Sequence, residues 1–357
     1  GLIGAINGDS SVENSYFNGN VIGNKCPVAG FVATVYNSAS DVTFNGCYSD
    51  GSVNCLNESA GVGLGGFVGL VECSGSATFE NSYSKVDVVS NPANEVSGIG
   101  GFVGSVYTCS LNFKECGFNG TIDSTNAVYV GGFMGITNNG VVVLAEDCYA
   151  VLEDIKANTH GAGFAAYCYS SGTFTRCFAK FNDLELLDTT AYYAYAGGFM
   201  ARSNSYGGLK FNQCYSEFNT ITASQYLAGF IPNMQNGTIK NCYASGTSLI
   251  GSGYMGGFMA VCEAHPYYCY STADIVYPGS PFRCGTFIGQ AFTMTYTSCF
   301  STVELTGSKT LSGSETVSGC YTSPSGYNSG WYWDSDIWDN LVDNSLPTLK
   351  GMPVVNE

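Results

Sequence analysis

A glycine–phenylalanine pair, set among small and aliphatic residues, recurs along almost the whole chain and limits what it can fold into. It reads "VAGFVATV" at Phe31, "LGGFVGLV" at Phe67, "IGGFVGSV" at Phe102 and "VGGFMGI" at Phe133. It continues at Phe164, Phe199, Phe230, Phe258 and Phe287, with steps of 28 to 36 residues and a degenerate first copy at Leu2. Between these pairs lies a second unit, apolar-x-x-Cys-aromatic: "FNGCY" ending at Tyr48, "FTRCF" at Phe178, "FNQCY" at Tyr215, "IKNCY" at Tyr243. "VENSY" at Tyr16 and "FENSY" at Tyr83 carry serine in place of cysteine. A third apolar position follows at Val21, Val53, Val88, Ile122, Ile275 and Leu305.

Three apolar segments per repeat, each four to six residues long and rich in β-branched and aromatic residues, read as strands and not as amphipathic helices. No single copy can bury its own apolar face, whereas stacked copies share one continuous core. The expected fold is all-β: a right-handed parallel β-helix of about ten to eleven coils, three short strands per coil. At about 4.8 Å per coil the rod is roughly 50 Å long. The repeat overrides the two or three domains that 357 residues would otherwise suggest.

Composition removes whole classes of function. Twelve Lys and Arg stand against 28 Asp and Glu, a formal net charge of −16, so the chain lacks the basic face that nucleic acid requires. No apolar run approaches the roughly 18–20 residues of a membrane span. No signal peptide is visible, and Gly1 already lies within a repeat; the expectation is a processed chain or a piece of a longer one.

The pattern "GGF(V/M)G … N-(S/C)-Y-(S/A)-x-G-x-V" resembles the GLUG repeat, with Phe where that family usually has Leu. The segment "GWYWDSDIWDNLVDNSLPTLKG" is similar to the one that closes such arrays. The resemblance spans essentially the whole chain. It implies a solenoid over 1–322, a capping segment over 323–357, and a secreted or surface setting among adhesin-like proteins and non-catalytic parts of surface peptidases. It brings no catalytic residues.

Nine cysteines hold one repeat position: Cys47, Cys116, Cys148, Cys177, Cys214, Cys242, Cys269, Cys299 and Cys320, with Ser15 and Ser82 in the remaining copies. Since Cys and Ser share small volume, the reading is a tight interior slot filled by unbridged residues. A column of metal-binding thiolates is the alternative; it lacks the close C-x-x-C pairs of tetrahedral sites. Seven cysteines stand off this position. Cys73 and Cys109 occupy equivalent places on adjacent coils and form the first disulfide candidate; Cys26–Cys55 is a second and Cys262–Cys284 a third, leaving Cys168 single. Such pairs belong to an oxidising compartment. Sequons at Asn57, Asn119 and Asn236 fit a secreted glycoprotein.

Chemistry is sparse. The two histidines, His160 and His265, lie in different repeats and read as loop residues. The acid clusters Glu146-Asp147, Glu153-Asp154 and Asp183/Glu185/Asp188 read as solvated edges, because adjacent acids on a strand face opposite ways. Asp334, Asp336 and Asp339 lack the loop of an EF-hand. "AYYAYAGGF", with Tyr192, Tyr193 and Tyr195, offers rings for sugars or a partner, or simply half-core aromatics. No catalytic residue, cofactor or metal is expected. The expected function is a non-enzymatic extracellular structural or adhesive scaffold, contacting other surface proteins or glycans, or its own copies through the uncapped N-terminal coil. A filament subunit and a carbohydrate-active β-helix enzyme are the rival readings.

Overall fold

In a computed structural model the chain is a parallel β-solenoid, with no helix among the described residues. The structure describes residues 1–25, 27–36, 40–56, 63–90, 98–124, 126–169, 171–204, 208–277, 283–291, 295–302, 316–318, 333–341 and 345–356. One coil shows the plan: strands Val28–Ala29, Val32–Val35, Asp41–Asn45 and Tyr48–Cys55, each paired in parallel with its equivalent one repeat later. The coil thus has four strands instead of the three expected. The Gly-Phe pair is not the middle of a strand but the corner between two. There the amides of Phe31 and Val32 both donate to the carbonyl of Phe67, at 3.2 and 2.9 Å, and Phe133 and Met134 do the same with Phe164. Two donors on one acceptor make a bulge, which turns the chain. The sheets run together for about eight turns, slightly fewer than the ten to eleven expected from the repeat.

The corner requires glycine beside the phenylalanine. A Cβ on Gly66 would meet the carbonyl oxygen of Gly101 at 2.0 Å and the Oγ of Ser84 at 2.3 Å. The phenylalanines point inward and stack from Phe31 to Phe287, with ring centroids 4.6–5.0 Å apart, every ring buried. A second inner column, Phe44–Phe79–Phe113 and Phe174–Phe211, meets the first edge to face. Offset-stacked and edge-to-face contacts are the favoured geometries of such rings, about 0.5–1.5 kcal/mol per pair beyond burial.

The cysteine motif is the opposite corner. The residue before each Cys or Ser is in the left-handed region: Asn14, Gly46, Asn81, Glu115, Asp147, Arg176, Gln213, Asn241, Tyr268 and Ser298 have φ between 46° and 64°. The next residue turns inward. Cys47, Cys116, Cys148, Cys177, Cys214, Cys242, Cys269 and Cys299 are all fully buried, while Cys320 lies outside the described residues. Burial pushes the thiols of Cys148, Cys177 and Cys242 upward. Volume alone does not explain the Cys/Ser exchange. Each thiol donates to the carbonyl two residues before it, as Cys148 does to Glu146 at 3.2 Å, and Ser15 and Ser82 make the same bond to Glu13 and Glu80, both at 2.8 Å. The slot selects a short side chain that can also donate a hydrogen bond. After it the aromatic ring points outward and the following Ser or Ala inward. Ser49, Ser216 and Ser271 donate to the carbonyls of Gly66, Gly229 and Thr286, tying this face to the Gly-Phe corner.

The described part of the C-terminal segment packs on the flank of the solenoid and not over the end of its core. It lies against the outward rings of the cysteine motif. Trp338 and Trp333, 4.6 Å apart and buried, pack on Tyr243, Tyr270 and Phe300. Trp331 lies outside the described residues. Indole Nε1 of Trp338 donates to Asn241, Tyr270 hydroxyl donates to the Pro347 carbonyl at 2.8 Å, and the amide of Asn356 donates to Tyr149 hydroxyl at 2.8 Å. The segment is therefore a strap running across several coils. No helix among the described residues is long and apolar enough to cross a membrane.

Candidate binding face

Two outward aromatic columns run up the rod. One lies under the strap. The other stands on the face where the chain enters and leaves the Gly-Phe corner, outside the strap's cluster; three of its rings are half-buried and two are buried. Its members come from one fixed place, four residues before each corner phenylalanine: Tyr129, His160, Tyr195, Tyr226 and Tyr254, which pair in register. Their ring centroids are 4.7, 5.2, 4.5 and 4.9 Å apart. Strand alternation explains the direction: the residue after each one fills the core, so this one must face outward. Three residues beyond the corner phenylalanine, Tyr167 and Arg202 form a neighbouring column, also paired in register.

Arg202 is the hub. Its guanidinium carbon lies 4.8 Å from the Tyr195 ring centre, 5.3 Å from Tyr167 and 5.8 Å from Tyr193. Such cation–π contacts contribute about 0.5–1 kcal/mol each at exposed sites. Among the described residues Arg202 has no carboxylate partner. His160 sits between Tyr129, Tyr167 and Tyr195; Thr159 Oγ1 meets its Nδ1 at 2.9 Å, and its buried Nε2 has no partner. Burial first, and Arg202 second, push its pKa down to about 3, so the ring is neutral. Burial raises Tyr195 to about 12, keeping its hydroxyl a donor.

Beside the columns a short loop carries Tyr192 and Tyr193, 73% and 56% exposed, their rings edge to face at 4.8 Å. Asp188 fixes the loop by accepting bonds from the Thr190 amide, the Thr190 hydroxyl and the Ala191 amide, at 2.8, 2.7 and 3.0 Å. Tyr195, unlike its two neighbours, is nearly covered, but by its own column and not by the core. The sequence flagged Tyr192, Tyr193 and Tyr195. It missed Tyr129, His160, Tyr167, Arg202, Tyr226 and Tyr254, although the fixed spacing from each corner phenylalanine was readable.

The other candidates fall out as follows. Glu146 and Asp147 do not face opposite ways: both grip Arg176, at 2.6 Å each, because Asp147 is the left-handed turn residue and strand alternation has ended there. Asp154 stacks in register on Asp183, as Lys156 does on Glu185. Asp334 caps the amide of Asp336, and Asp339 pairs with Lys350 at 3.2 Å. His265 lies in a strand and not in a loop. No cluster of three or more metal-ligating side chains is found among the described residues. Cys73 and Cys109 come together, buried, as thiols hydrogen-bonded to each other, which lowers the pKa of Cys73. Cys262 and Cys284 do not meet. Cys284 is in register with Met255, whereas Cys262 is in register with Met234 and Ala291, and its thiol donates to Ala264. Cys55 is buried, and Cys168 lies in register with Thr137 and Ser203; Cys26 is outside the described residues. Asn236 is an exposed turn residue, Asn119 is half-buried in a strand, and Asn57 is outside the described residues.

No family model, no curated protein and no solved structure matches this chain.

Proposed function

We propose that the protein is a non-enzymatic extracellular scaffold whose open aromatic face attaches it to a surface ligand. The observation that carries this reading is a rigid, regularly spaced column of rings, with Arg202 and two exposed tyrosines beside it, built on strands that the core fixes in place. Rigid aromatics give contact area at low entropic cost, as binding surfaces use them. The GLUG-like pattern agrees with a secreted or surface protein. The test is adhesion: beads coated with the full chain are expected to attach to cell-surface material, and Tyr192→Ala with Tyr193→Ala to reduce attachment about tenfold. Equal attachment by both proteins would refute the reading.

A second reading, a filament subunit, draws on the first coil. Its strands Ile3–Ile6, Ser10–Glu13 and Tyr16–Gly23 are edges of their sheets, and Leu2, Tyr16 and Ile22 are 48%, 60% and 69% exposed. A sheet edge with apolar side chains is a template for pairing with another β-segment. Sedimentation velocity should then show concentration-dependent association that Ile22→Lys abolishes. A wild-type chain that stays monomeric at all concentrations rules the filament out.

A further inference from the structure

We propose that Arg202 and the Tyr192/Tyr193 loop form a subsite for a single carboxylated sugar carried on an otherwise neutral glycan. The inference rests on the attachment reading above and gives that face a chemistry.

In a chain of net charge −16, a guanidinium has many possible acidic partners. Arg176 takes two of them, with three hydrogen bonds of 2.6–2.7 Å. Arg202 takes none among the described residues, and no hydrogen bond to protein holds it there. Instead three rings hold it. A guanidinium held only by rings keeps its N–H fork unspent on protein acceptors, and that fork matches a carboxylate with two parallel bonds. A second unspent group lies in the same cluster: the Nε2 of His160, whose side chain is 5% exposed, with its ring 5.8 Å from Tyr167.

The remaining groups decide what bears the carboxylate. Beside Arg202 the column continues from the buried Tyr195 to the half-buried Tyr226, whose ring edge is suited to sugar hydroxyls. Tyr192 and Tyr193 stand off the column, and their mutual edge-to-face packing leaves ring faces for the apolar side of a pyranose. Asp188 holds that loop in shape before any ligand arrives. Phosphate would require a second cation to balance its second charge, and His160 is neutral. A polyanion would be repelled by the net charge of the whole chain. One carboxylate on a neutral glycan satisfies both limits. A hexuronate and a larger sialic-type keto-acid sugar share this chemistry.

The test uses the full chain and two soluble oligosaccharides, one ending in glucuronate and one in a sialic-type residue, each as the free acid and as its methyl ester. Binding is read by titration calorimetry and by saturation-transfer NMR. The free acid of at least one is expected to bind tenfold or more tighter than its ester. Arg202→Gln should erase that preference, Arg202→Lys should keep part of it, and Tyr193→Ala should weaken acid and ester alike. Circular dichroism confirms that each variant is folded. Which of the two acids binds identifies the sugar. Equal affinity for acid and ester, an acid preference that survives Arg202→Gln, or no saturation transfer from either acid overturns the proposal. Bead attachment lost in the Tyr192/Tyr193 variant, alongside any of those results, leaves the attachment reading standing while this subsite falls.

Discussion

The two outward aromatic columns have the same construction and different fates. Each arises because one residue per repeat must face outward beside an inward one, and each stacks at about the coil spacing. The column at the cysteine corner, Tyr149 through Phe300, lies against the strap: the hydroxyls of Tyr149 and Tyr270 meet the strap's backbone, and Trp333 and Trp338 pack on Tyr243, Tyr270 and Phe300. The column at the Gly-Phe corner packs among its own members, on Tyr167 and on Arg202. On one side a later segment of the chain covers the rings; on the other the rings pack on one another and on a neighbouring column. Stacking the rings is a matter of repeat register, whereas covering them requires a separate segment.

The sharpest way to break this contrast is to remove the strap's anchor. Trp338→Ala should cost about 3–5 kcal/mol, the usual range for a buried Trp truncation, seen as a lower denaturation midpoint and as native-state hydrogen exchange opening along the strap. A loss under 1 kcal/mol would mean that the strap does not stabilise the rod.

Acid and alkali should separate the two faces next. His160 is neutral in the fold with its pKa pushed down to about 3, while the unfolded chain protonates near pH 6.5. The native state therefore binds fewer protons in that window. Stability is full above about pH 6.5 and falls as pH drops toward 3, by an amount on the order of a few kcal/mol. His160→Phe should flatten this limb. On the strap side burial holds Tyr149 at about 12, so its contribution is present below about pH 10 and lost as pH rises toward 12. Urea titrations across pH read both limbs; an acid limb unchanged in His160→Phe would disconnect it from the open face.

Smaller still is the hydroxyl of Tyr270. Tyr270→Phe removes its bond to Pro347 and leaves a buried carbonyl without that donor, which costs about 1–2 kcal/mol. The least effect belongs to the other column: Tyr254→Ala should change stability by about 0.5 kcal/mol or less, since its ring is only half-buried and lies outside the strap's cluster. A cost equal to that of Tyr270→Phe would show that ring stacking, and not the strap, is what stabilises an outward column.

The sequence made the interior legible because stacking repeats the same demand in every coil. The Gly-Phe pairs and the Cys/Ser position mark the inner columns directly, and the solenoid follows from them. Four strands instead of three escaped notice because a bulge is a matter of which amide meets which carbonyl, as at Phe31 and Val32, and leaves no hydrophobic period to read. The strap was misread as an end cap because its tryptophans identify buried rings without saying which rings bury them. Tyr192, Tyr193 and Tyr195 stood out as a run, while Arg202 and His160 did not. One cation among rings becomes visible only when Tyr167, one coil earlier, is placed beside it.

The double hydrogen bond to each corner phenylalanine's carbonyl has one more consequence. It makes every coil begin from the same bent geometry, whatever the lengths of the loops between. The coil is thus a unit of length that can be excised whole. Removing 67–101 would bring Phe102 to the place now held by Phe67, against Phe31, with Val103 replacing Val68 above Val32. The rod would shorten by one pitch, about 4.8 Å, and the open face, whose first ring is Tyr129, would move closer to the N-terminal coil without losing a member. Reach along the rod and recognition at its side are separate quantities in this architecture, and either can change without disturbing the other.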